Sequence, residues 1–154
     1  MKNLFFYVTC LGVLLTSCSN DDDSGGFAAV TYQLVEVNTD NPIDVNGDNV
    51  ANRNELLETD CYGNSRIVLE SLTSGYNFTS EFGYLDTASE LRTTCGGETK
   101  NGSYQLSDTS LVITYEDGSS QTFQVDGDKL LASDEWTLFD GDLTKKVELV
   151  YQRQ

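Results

Sequence analysis

From residue 76 onward, apolar and polar side chains alternate in short runs cut by Asp-Gly turns, a pattern that an antiparallel sheet uses and a helix cannot. Tyr76, Phe78, Phe82 and Tyr84 fall on one face of a run, with Asn77, Thr79 and Glu81 on the other. Tyr104 and Leu106 are expected inside against Ser103 and Gln105, followed by Leu111, Ile113 and Tyr115, then Phe123 and Val125, then Val147, Leu149 and Tyr151. Between them lie Glu116-Asp117-Gly118-Ser119, Val125-Asp126-Gly127-Asp128 and Asp140-Gly141-Asp142. Asp-Gly suits a hairpin because glycine takes positive φ without strain. With further strands near 29–37 and 65–71, the chain is expected to be all-β, about eight antiparallel strands in an up-and-down meander. Its single proline, Pro42, is expected to fall outside the strands. Such a meander hides its edges by curling into a barrel or half-open barrel, just wide enough to be filled by side chains or to hold one small ligand.

The first two dozen residues carry an address rather than a fold. Lys2 precedes an apolar run from Leu4 to Leu15, and Leu15-Thr16-Ser17-Cys18 follows. The run is too short for a bilayer core of roughly 30 Å, which takes about 20 helical residues. It reads as a secretory signal over residues 1–17. Leu15-Thr16-Ser17-Cys18 resembles a lipobox, which implies cleavage before Cys18, diacylglyceryl on its thiol and a further acyl chain (palmitate or similar) on its new amine. At about 0.8 kcal/mol per buried CH₂, one chain holds a protein only marginally and two or three hold it stably. Residues 18–26, with Asp21-Asp22-Asp23-Ser24-Gly25-Gly26, form an acidic flexible tether. An acidic cluster at that place resembles the signal that sends outer-membrane lipoproteins to the cell surface. Residues 27–154 then make one domain.

The formal charge of −16 repels phosphate backbones, so no nucleic-acid partner is expected. No histidine is present, which removes the commonest general base and the commonest transition-metal ligand. Of four cysteines, Cys10 leaves with the signal and Cys18 is acylated. Cys61 and Cys95 remain, and in an oxidising compartment they are expected to form one disulfide.

The strand sequences also resemble the bacterial lipocalin-like lipoprotein domains. The similarity lies in Gly102-Ser103-Tyr104-Gln105-Leu106, Leu111-Val112-Ile113, Gln121-Thr122-Phe123 and the closing Val147-Glu148-Leu149-Val150-Tyr151-Gln152-Arg153, with Cys61 and Cys95 placed to match. The resemblance implies a lipocalin-like β-barrel with an interior site for a small hydrophobic ligand. The first strand, Phe27 to Val37, lacks the Gly-x-Trp of many lipocalins.

One segment has the spacing of a metal loop. Oxygen side chains recur at the first, third, fifth, ninth and twelfth positions, as Asp44, Asn46, Asp48, Asn52 and Glu55, and Val50 offers its backbone carbonyl at the seventh. This is the ligand order of an EF-hand-type calcium loop, in which a hard cation gathers six to eight oxygens. Asn49 stands at the sixth position, where the turn prefers glycine, and asparagine tolerates left-handed φ. Asn52 to Leu57 has room for one helical turn. Asp86-Thr87-Ala88 resembles a tripeptide glycosylated on threonine in some secreted proteins. Asp134, Glu135, Asp140 and Asp142 are acid–base candidates on paper, but glycoside hydrolysis needs two carboxylates held about 5–10 Å apart across a cleft, and hairpin ends are the simpler reading. These features together point to a non-enzymatic, surface-anchored binding barrel with structural calcium. The alternative is an envelope interaction module whose barrel is filled and which takes an envelope protein as partner.

Overall fold

The computed structural model describes residues 29–72, 75–86, 94–138 and 143–154. Cys18 with the signal and tether, Thr87, and the Asp140-Gly141-Asp142 turn lie outside the described residues, as do the side chains of Tyr76 and Tyr84. The strands are β1 (Val30–Ile43), β2 (Asn52–Asn54), β3 (Arg66–Leu72), β4 (Gly75–Asp86), β5 (Thr94–Leu106), β6 (Ser110–Tyr115), β7 (Ser120–Asp126), β8 (Lys129–Leu138) and β9 (Leu143–Arg153). From β3 to β9 each strand pairs antiparallel with the next, and β1 pairs with both β3 and β9. Eight strands therefore close into an all-β barrel. β2 is a short addition on the free part of the β1 edge, joined at Asn38↔Asn54 and Ile43↔Asn52.

A bulge in β1 makes the closure work. The β1–β9 register runs Leu34↔Tyr151 and then Glu36↔Val150, which leaves Val35 as the extra residue. An extra residue bends a strand and shifts its alternation by one. Tyr32 and Leu34 are buried before the bulge, and Val37 and Thr39 after it. The displaced Val37 amide donates to Asn54 Oδ1 at 3.1 Å, and the same oxygen accepts from Leu56 N at 3.1 Å, starting a 3-10 turn over Glu55–Leu57. A second 3-10 turn, Asp60–Tyr62, begins at Thr59, whose hydroxyl accepts from Cys61 N.

The core is the set of inward positions: Leu34, Val37, Ile67, Leu69, Leu111, Ile113, Phe123 and Leu130 are each almost wholly buried. Burying one such side chain is worth about 1.5–3 kcal/mol. The two described Asp-Gly hairpins have the geometry expected of them. Gly118 and Gly127 take φ of 84° and 58°, and Asp117 Oδ1 accepts from Ser119 N at 2.8 Å. At Gly102 the barrel wall admits no side chain. A Cβ there would lie 2.0 Å from the Thr114 carbonyl and 2.8 Å from Phe78, whose ring packs edge-on to Tyr115 at 5.4 Å.

Four expectations need correction. Asp134 and Glu135 are not at a hairpin end but inside β8, paired with Val147 and Lys146, because the run they belong to carries no clean apolar alternation. Leu106 is 47 % exposed rather than inside, because β5 ends there at the barrel rim, one residue before the Ser107–Ser110 turn. Pro42 lies within β1, near its end and beyond the last β1–β9 pair at Thr39↔Val147, where a missing N–H breaks no barrel ladder. β5 starts at Thr94, well before residue 103, since its first half has none of the apolar alternation used to find strands.

Cys61 and Cys95 form the disulfide, with Cα atoms 5.0 Å apart and a sequence separation of 34. It ties the second 3-10 turn to the start of β5. On the chain-entropy account a loop of that length contributes about 3–4 kcal/mol. Replacing both cysteines by serine is expected to lower the unfolding free energy by that amount, read as a lower urea midpoint; an unchanged midpoint would show that the bridge does not restrain the unfolded chain.

Candidate functional site

The ladder between β7 and β8 is short. It comprises Gln124↔Leu131, Val125↔Leu130 and Asp126↔Lys129, whereas β8 stays paired with β9 through Leu138↔Leu143. Beyond Gln124 and Leu131 the two strands are unpaired, and a cavity of about 590 Å³ lies behind the gap. Its floor is the core, with Ile67, Phe123, Leu149 and Tyr151; its wall includes Phe82, Tyr115 and Trp136, the only tryptophan of the chain. Ser120, Thr122 and Ser133 form the lips. A volume of a few hundred Å³ is usual for a small-molecule site.

The upper wall is polar because the inward positions of β4, β5, β7 and β8 change character toward this end. Below the cavity they are Phe78, Tyr104, Phe123 and Leu130; within it they are Ser80, Glu98, Lys100, Gln121 and Asp134. Lys100 pairs with Glu98 at 3.0 Å and sits 5.3 Å above the Tyr115 ring. The Tyr115 hydroxyl donates to Gln121 Oε1 at 2.9 Å. Burial, reinforced by the charges of Glu98, Asp117 and Asp134, pushes its ionisation up to about 12, so it remains a neutral donor at physiological pH. Asp134 accepts from Trp136 Nε1 at 3.3 Å and forms no ion pair among the described residues.

The connection between β1 and β3 closes this end of the barrel. Tyr62, from the second 3-10 turn, is buried and stacks on Trp136 with ring centroids 6.1 Å apart, and Phe82 meets Trp136 edge-on at 5.8 Å. Glu55 is wholly buried; one carboxylate oxygen accepts from Tyr62 Oη at 2.7 Å and the other is bonded to Lys145 Nζ. Lys145 also lies 5.2 Å from the Trp136 ring centroid. A buried ion pair offsets its own desolvation only when its remaining hydrogen-bonding capacity is met. Here Tyr62 helps to meet it, and the short turns are fastened to β9.

The oxygen-rich loop lies just before this plug. Asp44 accepts from Gly47 N at 2.7 Å and from Asn49 N at 2.9 Å, Asn46 from Asp48 N at 2.9 Å, and Asp48 from Val50 N at 2.8 Å. Asn49 takes φ of 70°, the left-handed value its position needs. Glu58 closes the loop. Its carboxylate accepts from Val45 N at 3.0 Å, Asn52 N at 3.1 Å and the Asn52 amide at 2.5 Å, and the Asn52 bond, with the backbone amides, holds its ionisation below the ordinary glutamate range. The structure thus places Asp44, Asn46, Asp48, Val50 and Asn52 along one wound loop and commits Glu55 to Lys145 and Tyr62. Among the described residues no three Asp, Glu or Cys side chains are grouped so as to hold a metal ion.

A wider groove of about 1000 Å³ runs along the outer face, with Asp40, Arg53, Glu135, Lys146 and Glu148 exposed on its walls. It is shallow and solvated, so the interior cavity is the better candidate for enclosing a ligand. The sequence reading missed Glu98, Lys100, Gln121, Trp136 and Lys145. Only strand register turns these residues inward; Gln121 falls in the Gln121-Thr122-Phe123 run but no motif marks it, or the others, as a site residue. No known family model, curated protein or solved structure matches the chain.

The Glu55–Lys145 pair gives a direct test of how the plug is held. Lys145→Met leaves a buried carboxylate without its cation and is expected to cost about 3–5 kcal/mol of stability. Combining it with Glu55→Gln should restore much of that loss, because the pair acts as a unit. Additive losses in urea denaturation would separate the two residues.

Proposed function

We propose that this protein is a membrane-anchored binding barrel, a lipocalin-like lipoprotein of the outer membrane held by lipid on Cys18 and facing the cell surface, with no catalytic role. The cavity behind the β7–β8 gap carries this reading. A filled barrel would have favoured the interaction module, in which only loops and outer faces are free to work; a 590 Å³ interior with aromatic and polar walls suits a small ligand instead. The expected result is that Cys18→Ala moves the protein from the membrane fraction to the soluble one while leaving it folded. In thermal-shift assays against fatty acids, sterols, saccharides and amines, at least one class should raise the Tm of this soluble chain. A Ser80→Trp version, with its cavity filled, should not respond. Equal behaviour of the two proteins would move the function to the outer face.

Calcium belongs to the same proposal. Asp44, Asn46 and Asp48 present side-chain oxygens on a loop already wound by its own amides, with the Val50 carbonyl and Asn52 following. Glu58, which bridges the two ends of the loop, stands nearer to this role than Glu55. An ion would have to draw these oxygens together, and the gain would appear as stability. Millimolar calcium is expected to raise the Tm of the wild-type chain and not that of the Asp44→Ala/Asp48→Ala variant. Identical melting of the wild type with calcium and with chelator would remove calcium from the account.

A further inference from the structure

We infer that the ligand of the barrel cavity is a neutral, hydroxyl-rich molecule of the saccharide class, rather than the hydrocarbon expected of a lipocalin-like site. The inference rests on the binding role proposed above and names its substrate class from the charges that face the cavity. Glu98, Lys100 and Asp134 all line it. An alkyl chain filling the space would take water from an ion pair and from a carboxylate, Asp134, that has no cation beside it among the described residues, and would return no hydrogen bond. An anionic ligand would meet Asp134 and Glu98 in a chain of formal charge −16.

A cationic ligand fares little better. The aromatic rings that might cage it already have ammonium groups against them, Lys100 at 5.3 Å from the Tyr115 centroid and Lys145 at 5.2 Å from that of Trp136. A polyol satisfies every group left over. Its hydroxyls donate to the Asp134 and Glu98 carboxylates and accept from Lys100 and the Gln121 amide, while its C–H face lies on the apolar wall at Phe82. Such groups select for hydroxyls strongly, because an analogue lacking them leaves polar atoms unpaired.

Trp136 makes the test simple, since the only tryptophan of the chain is in the cavity wall. The full chain carrying Cys18→Ala is titrated with glucose, N-acetylglucosamine, cellobiose and maltose, and separately with palmitate, while indole fluorescence is followed. At least one saccharide is expected to give a saturable change. Asp134→Asn and Gln121→Ala, both at the solvated end of the site, should each weaken that binding by about tenfold or more, the loss of roughly one good hydrogen bond. Their thermal melts show whether they remain folded. Saturation by palmitate with none by any saccharide overturns this inference and leaves the binding role standing. A saccharide response unchanged in both folded variants also overturns it, since the sugar then binds elsewhere. Silence toward every probe overturns the inference, and the binding role falls with it only when the sterols and amines of the thermal-shift series are silent as well.

Discussion

Everything in this protein depends on β1 being shared between two neighbours. Its first four residues, Val30 to Gln33, pair with β3, and from Tyr32 to Thr39 its opposite edge pairs with β9. Without the second pairing the molecule would be an open sheet with two long free edges, open to pairing with other chains. The extra residue at Val35 lets one strand serve both sides, because it bends β1 and resets which side chains point inward. The Val37 amide turned out of register is then used by Asn54, which starts the first 3-10 turn. The bulge, the closure and the plug are consequences of one inserted residue.

Closure at β1 also explains why a gap can exist at β7 and β8. A barrel already sealed by seven ladders holds its shape when the eighth is reduced to three residue pairs. The unpaired backbone there faces a polar, solvated cavity rather than an apolar core, so it is not left without hydrogen-bond partners. The polar wall and the short ladder support each other: inward Gln121 and Asp134 could not pack as core, and the gap gives them water or a ligand. The candidate site lies where packing was given up.

The same fact sets what the sequence made legible. The apolar half of the barrel was easy to read, because Leu111, Ile113, Phe123 and Leu149 alternate cleanly and Gly118 and Gly127 punctuate them. Asn49 was read correctly as a left-handed residue from its side chain alone. The start of β5 was not visible, since Gly96, Glu98, Lys100 and Gly102 are inward positions that carry no apolar signal. Glu55 was misleading in a different way. Its spacing from Asp44 matched a metal loop, but the partner that decides its place, Lys145, is 90 residues away and is brought near only by the barrel. Local spacing records local geometry; a cavity built from seven strands leaves no local record. The blank stretches of the periodicity were therefore where the polar wall of the cavity lay.

The topology also relates the cavity to the proposed anchor. Tyr32 pairs with Arg153, and Lys129 with Gln152, so the start of β1 lies at the barrel end where β8 begins and β9 finishes. The Gln154 amide donates to the Thr31 carbonyl at 2.9 Å at that same end. The β7–β8 ladder is there too, and the gap opens away from it. Trp136 lies seven residues further along β8 than Lys129, which at about 3.3 Å per residue is roughly 23 Å of strand. A lipid on Cys18, as proposed, would reach the domain through the residues before β1, at the barrel end opposite the plug. The gap in the β7–β8 ladder lies toward the other end, beside Trp136 and the plug, and so is set apart from that attachment point.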